Sequence, residues 1–241
     1  MGQQLASTTA PTADAAHELL RKAISERSTV RFFSEDPVHD ALLAEVLRLT
    51  QRAPSGMNTQ PYACVVLRDQ ADRDNLADAM LDMNKRKVKE APVVVVFAAD
   101  LEPSRRVPLI QERKLGHSDT PEEIEKIVNT LNKFSFEGAD PQTPGYVPTI
   151  AWSYKQTILA AATFLYAAQA AGLSTCPMEG FDEANVRKVL EIPDRYSVPI
   201  VISCGYPKPG TQRVGSTLRL APTDIFFDGK FGRSTDKLFE Q

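Results

Sequence analysis

At 241 residues the chain is long enough to bury a substantial core as one domain. Its formal net charge of −3, from 28 Lys plus Arg against 31 Asp plus Glu, offers no electrostatic footprint for nucleic acid or an anionic membrane. No run approaches the roughly 20 apolar residues of a membrane span, and three scattered cysteines and three scattered histidines provide neither a disulfide framework nor a histidine metal centre.

Residues 1–13 are small and polar without periodicity and read as a disordered tail. No Lys or Arg precedes Arg21 and no apolar core is present, which argues against a signal or transit peptide. Ala6 stands where a myristoylation signal needs Ser or Thr. The expectation is a soluble cytosolic protein whose ordered domain runs from 14 to 241, with Cys64, Cys176 and Cys204 as reduced core thiols.

A helix is expected from Asp14, with Leu19, Leu20, Ala23 and Ile24 on its apolar face. It delivers Arg27-Ser28-Thr29-Val30-Arg31-Phe32-Phe33, where two guanidinium forks flank two hydroxyls, a set that suits one phosphate. Asp36-Pro37 predicts the start of a second helix running to Arg52, with Val38, Leu42, Val46 and Leu49 on one face. A stiff, polar connector follows, Pro54-Ser55-Gly56-Met57-Asn58-Thr59-Gln60-Pro61. Its prolines restrict the backbone, its amides and hydroxyls suit the edge of a flat heterocycle, and Gly56 allows close approach. An ordinary structural turn has the same composition.

Ala63–Leu67 reads as a buried strand, Gln70–Met83 as a helix with Leu76, Ala79, Met80 and Met83 in its stripe, and Pro92–Ala99 as a strand. Between them lies Asn84-Lys85-Arg86-Lys87; such a cluster is usually a solvated face, and Lys85 and Arg86 are expected at the surface. Residues 101–148 are the least regular, apart from a capped helix from Thr120 to Phe134; Phe134, Phe136 and Tyr146 are read first as packing residues. Ile150–Gly172 predicts a long helix, apolar or small nearly all round, that packs its own core and a partner subunit. Met178-Glu179-Gly180 leads to Asp182, an N-cap with Phe181 and Val186 as a hydrophobic staple, and a strand covers Val198–Cys204. The chain closes with Arg219 and, over 223–241, an arm carrying Ile225-Phe226-Phe227 that is expected to lie across a partner subunit. Neither a Gly-x-Gly-x-x-Gly nor a Walker loop is present.

Taken in order, these segments resemble the FMN-dependent nitroreductase family, from about Arg27 to Arg219 and most weakly over 101–148. Pro-Ser-Gly-x-Asn-x-Gln-Pro is similar to its flavin-edge loop, Arg-x-[Ser/Thr]-x-Arg-x-Phe to its phosphate motif, and Trp152-x-x-Lys155-Gln156 to its long helix. The resemblance refines an α/β reading to α+β: a central mixed sheet wrapped by helices, in a domain-swapped homodimer with two FMN sites at the interface. It assigns Arg27, Ser28, Thr29, Arg31 and Arg219 to phosphate and ribityl, and Asn84 and Lys87 to the pyrimidine edge. Met178, Glu179 and Gly180 go beside N5 and O4, and Pro54, Ser55, Gly56, Asn58 and Gln60 to the flavin of the other subunit. Thr217 departs from the Lys of close relatives.

The implied activity is NAD(P)H-dependent reduction of nitroaromatics or quinones in a ping-pong cycle, with no side-chain nucleophile. Two alternatives stand beside it. One is a reductive dehalogenase of the iodotyrosine deiodinase type, which Val30–Ser34 and Ala53–Gly56 also resemble while Asn58 and Gln60 do not. The other is a non-catalytic flavin-binding protein.

Overall fold

The structure, a computed structural model, describes residues 13–113, 120–211 and 217–239. Four strands, β1 (Tyr62–Leu67), β2 (Val93–Asp100), β3 (Ser174–Met178) and β4 (Tyr196–Gly205), form one sheet in the order β1-β2-β4-β3. All three pairings are antiparallel, and among the described residues parallel pairing is confined to an isolated bridge between Thr29, outside the strands, and Thr175 of β3. β2 sits in the middle with every residue buried, as its Val-Val-Val-Val-Phe-Ala-Ala run requires.

Helices cover both faces. On one, Val93, Val95 and Phe97 pack with α2 (Asp40–Thr50) and α7 (Thr149–Ala170), the Phe97 and Phe164 rings meeting edge to face at 6.0 Å. On the other, Val94, Val96 and Ala98 pack with α3 (Gln70–Asp78), α4 (Met83–Glu90) and α8 (Glu183–Val189). Alternation along β2 thus feeds two cores from one strand. α1 (Ala13–Glu26) crosses α7, while α5 (Val107–Arg113) and α6 (Pro121–Phe134) form a side lobe on a third cluster of Leu131, Phe136 and Trp152. A short α9 (Asp236–Phe239) ends the arm, where Phe226 and Phe239 lie 6.0 Å apart around a cavity of about 1160 Å³.

Several expectations are corrected. The second helix begins at Asp40: Pro37 and Val38 lie outside it, ahead of the extended His39 N-cap. The helix from Gln70 stops at Asp78; Met80 then bridges to Phe181, and a separate helix starts at Met83 after Asp82 takes φ 39°. Met83 is therefore exposed, as is Leu49 on α2, whereas Leu76, Ala79, Met80 and Val46 are buried. On α1 only Ala23 is buried, with Leu19 at 64% and Leu20 at 58% exposure. β3 and α5 were not foreseen: β3 contains a proline, which an edge strand tolerates. The Asp182 cap is present, its carboxylate accepting from the Asn185 N–H at 3.2 Å. All three cysteines are free thiols, and Phe136 is wholly buried in packing. The expected N-terminal tail lies outside the described residues, apart from Ala13, which opens α1.

Candidate functional site

The break at Leu81–Asp82 creates the first half of the site. It lets α4 start afresh beside the exit of β3, with the Leu81 N–H donating to the Gly180 carbonyl at 3.0 Å. From α4, Asn84 Nδ2 donates to that same carbonyl at 2.9 Å, and Lys87 Nζ, one turn on, donates to Asn84 Oδ1 at 2.7 Å. The relay needs three residues of spacing on a helix and no side chain at position 180. A Cβ placed there would stand 2.7 Å from Asn84 Nδ2.

Lys87 is only 9% exposed, and among the described residues no carboxylate pairs with it. A buried ammonium held by one neutral amide is a cation waiting for a negative partner. Its backbone is fixed too, its carbonyl accepting from the buried Ser203 hydroxyl at 2.9 Å. Burial raises the Cys176 thiol pKa on adjacent β3, and the positive charges of Lys87 and Arg31 partly pull it back.

The segment after α1 runs along the same edge. Val30 N–H donates to Thr175 O at 3.0 Å, fixing Arg27, Ser28, Thr29 and Arg31 outside β3. Lys85 and Arg86 are exposed, with the Arg86 guanidinium 4.4 Å from the Phe32 ring centroid. The structure therefore groups Arg27, Ser28, Thr29, Arg31, Asn84, Lys87, Met178, Glu179 and Gly180 at one sheet edge. Arg219 is not drawn into that group by any described bond. Its Nη1 donates to the Thr217 hydroxyl at 2.6 Å and to nearby carbonyls, so Thr217 holds the guanidinium locally.

The Pro54–Pro61 loop stands at the opposite edge, leading into β1. Three inter-strand spacings, about 14 Å, separate the two edges. Within the loop Met57, Asn58 and Gln60 take left-handed φ of 49°, 54° and 47°, a strained run for side-chain-bearing residues. Internal bonds hold it: Gln60 N–H to Ser55 Oγ at 2.9 Å and Thr59 Oγ1–H to Gly56 O at 2.7 Å. From α7, Gln156 Oε1 accepts the Gly56 N–H at 2.8 Å, and Gly56 lies so close to Trp152 that a Cβ would be 3.1 Å from its ring.

Beneath the loop lies a device that motif reasoning missed. Asp100, fully buried at the end of β2, accepts from Arg106 Nε at 3.0 Å, Arg195 Nη2 at 2.9 Å and the Glu102 N–H at 3.1 Å. Its N–H donates to Pro61 O, and Arg106 also donates to Tyr62 O at 2.8 Å. The signal was there to read: a carboxylate closing an otherwise all-apolar strand has to find cations.

Residues 24–206 match the sequence profile of the Nitroreductase family. The chain is 32% identical over 187 residues to the NADH dehydrogenase of Thermus thermophilus, covering 78% of this chain and 86% of that protein. The Bacillus subtilis protein ydfN superposes with a TM-score of 0.74 at 26% identity, over 87% of this chain and 98% of its own. A structure from Exiguobacterium sibiricum solved in complex with FMN superposes at 0.71 and 18% identity, over 88% and 97%.

Proposed function

The chain belongs to the nitroreductase family, and from that premise we propose that it is an FMN-dependent, NAD(P)H-consuming oxidoreductase that reduces nitroaromatics or quinones. The observation that carries the reading is the buried, carboxylate-free Lys87, held by Asn84 at the Gly180 exit of β3. The FMN complex of the Exiguobacterium structure and the name of the Thermus relative support the choice of cofactor and nicotinamide donor. When bound, FMN supplies the centre that takes and returns the electron pair.

The residues fit such a group. Lys87 offers a positive charge to the edge of a ring system that becomes anionic on reduction, and Asn84 fixes the ammonium so that no reorganisation is needed. Gly180, with no side chain, leaves the Asn84 amide room to sit against its backbone and so to hold Lys87. Arg27, Ser28, Thr29 and Arg31 supply forks and hydroxyls for a terminal phosphate, with Arg219 as a further cation. No side chain has to act as a nucleophile.

The partner in this reading is a second copy of the chain. The loop carrying Pro54, Ser55, Gly56, Asn58 and Gln60 is a sheet-width from Lys87, so in a two-fold dimer each loop would serve the other subunit's cofactor. Exposed apolar residues along α7 (Ile158, Leu159 and Tyr166) and α1 (Leu19, Leu20 and Ile24) give such a dimer a surface to bury.

The test is an absorption spectrum of the purified protein, then anaerobic addition of NADPH and of NADH. Flavin bands that bleach, and recover with nitrofurazone or a quinone, are expected. A colourless protein that takes up no added FMN overturns the reading, and turnover of halotyrosine with dithionite but not of nitro compounds with NAD(P)H would redirect it to dehalogenation.

A further inference from the structure

A cleft of about 870 Å³ opens at the other end of the sheet, where β1 ends, β2 begins and β4 ends. Four cations line it, Arg68, Arg73, Lys89 and Lys208, against the carboxylates of Glu35 and Glu90. Some of these charges are already matched: Arg68 pairs with Asp40, Lys89 lies 4.0 Å from Asp74, and Glu90 leans to Arg86 at 3.6 Å.

Arg73 is different. It is 7% exposed, yet its bonds go only to neutral acceptors: the carbonyls of Arg68 and Pro92 and the Gln70 side-chain oxygen at 2.6 Å. Its Nε is buried with no partner, and among the described residues no carboxylate reaches ion-pair distance. Burial pulls its pKa down, and Asp74 and Asp69 only partly oppose this. In the lining of the same cleft the Ser34 hydroxyl is also buried without a partner, and Lys208 has no ion pair among the described residues. A guanidinium and a hydroxyl withdrawn from water with incomplete bonding destabilise the fold unless a ligand completes them.

We propose that this cleft binds a small oxyanion, phosphate or carboxylate, between the Arg73 guanidinium, the Lys208 ammonium and the Ser34 hydroxyl, which turns toward the cleft about its χ1. The uncompensated guanidinium charge, the Lys208 ammonium and the hydroxyl together form a set suited to such an anion. The cleft is distinct from the Lys87 site: Ser34 lies three extended residues beyond Arg31, about 10 Å along the chain. It does not rest on the oxidoreductase reading.

The test uses the full chain both as purified and with saturating FMN added, the second arm filling any contacts to the cofactor's own phosphate. Thermal unfolding is followed with inorganic phosphate and, separately, malonate, each against sodium chloride of equal ionic strength. Phosphate, malonate or both are expected to raise Tm beyond the chloride control, with the flavin spectrum unchanged. Lys208→Glu should weaken that response about tenfold in apparent affinity. Ser34→Ala should leave Tm in chloride unchanged or higher, because it deletes an unsatisfied hydroxyl, while reducing the oxyanion response. A shift no larger than that of chloride, or one that persists undiminished in both variants, overturns the proposal.

Discussion

Gln156 Oε1 accepts the Gly56 N–H at 2.8 Å, tying the middle of α7 to the loop before β1 across 100 residues of sequence. The loop has positive φ at three non-glycine positions, so its shape is imposed by such ties rather than by local preference. The same glutamine turns its Nε2 back to the Trp152 carbonyl at 3.3 Å, and Trp152 carries the Phe136 ring at 5.8 Å. The side lobe, the long helix and the loop thus share one contact chain.

Gln156→Leu is expected to leave the Gly56 N–H unsatisfied, at a cost of about 2 kcal/mol. For a chain of this size that is about 4–8 °C in Tm. FMN affinity, measured by quenching of flavin fluorescence, should fall with it, because the loop is no longer preorganised. A variant with unchanged Tm and unchanged affinity would show that the loop holds its shape without α7.

Lys87→Met tests the charge. A unit charge 5 Å away at an effective dielectric near 20 is worth about 3 kcal/mol, equal to about 65 mV for a two-electron couple. The flavin midpoint potential should therefore become more negative by tens of millivolts, and reduction by NAD(P)H should slow. Since Lys87 has no described carboxylate partner, the substitution should not lower Tm, which separates a tuning role from a structural one.

Gly180→Ala acts on the same relay from the other side. A Cβ 2.7 Å from Asn84 Nδ2 must displace the amide, because the backbone at 180 is already bonded to Leu81. The cost is expected at about 1–3 kcal/mol. The potential should shift in the same direction as in Lys87→Met, since the ammonium loses its guide. An alanine variant with the parental potential would dissociate Asn84 from any part in holding Lys87.

How much of this was legible beforehand depended on whether the signal was local. Val93–Asp100 and Tyr62–Leu67 announce themselves as strands, and the Thr120 and Asp182 caps as helix starts, because those preferences lie in neighbouring residues. Asn84 and Lys87 were paired beforehand only through the resemblance of their spacing to the family; the helix α4 that makes three residues one turn starts at Met83, where the expected helix was to end. By contrast, the break at Asp82 comes from a pairing between Met80 and Phe181, a hundred residues on, and no window around Met80 contains it. The exposure of Leu19 and Leu20 is of the same kind: their periodicity marks an apolar face, without saying that the rest of the fold leaves it open. Arg73 and Asp100 went unread because a charge in sequence looks solvated until its burial is known.

The thiols set an alkaline limit. Burial pushes Cys64 and Cys204 up to about 12 from an ordinary 9.0, and it raises Tyr62 as well. The folded chain therefore holds protons that the unfolded chain releases. This contribution to stability is complete below pH 9 and is lost as pH climbs from 9 toward 12. Urea midpoints should hold from pH 7 to 8.5 and fall beyond 9, and Cys204→Ala should flatten that fall. In the native state at pH 8 the fully buried Cys204 should resist alkylation more strongly than the half-buried Cys64, and rapid labelling of Cys204 would contradict its burial.

Asp100→Asn addresses the support beneath the loop. The carboxylate is fully buried and compensated by Arg106 and Arg195, whose side chains are 21% and 24% exposed. Neutralising it leaves two partly desolvated guanidiniums without a counter-charge, at a cost of about 3–5 kcal/mol. Arg106 also holds the Tyr62 carbonyl, so the damage should spread to the Pro61 end of the loop and not stop at β2. The expected result is a large fall in Tm together with weaker flavin retention. Added FMN should recover part of the Tm loss, because a ligand that binds only the folded chain stabilises it by mass action. If instead the variant unfolds at the parental temperature, the buried carboxylate is not what fixes the loop to the sheet, and the Gln156 tie alone must account for its shape.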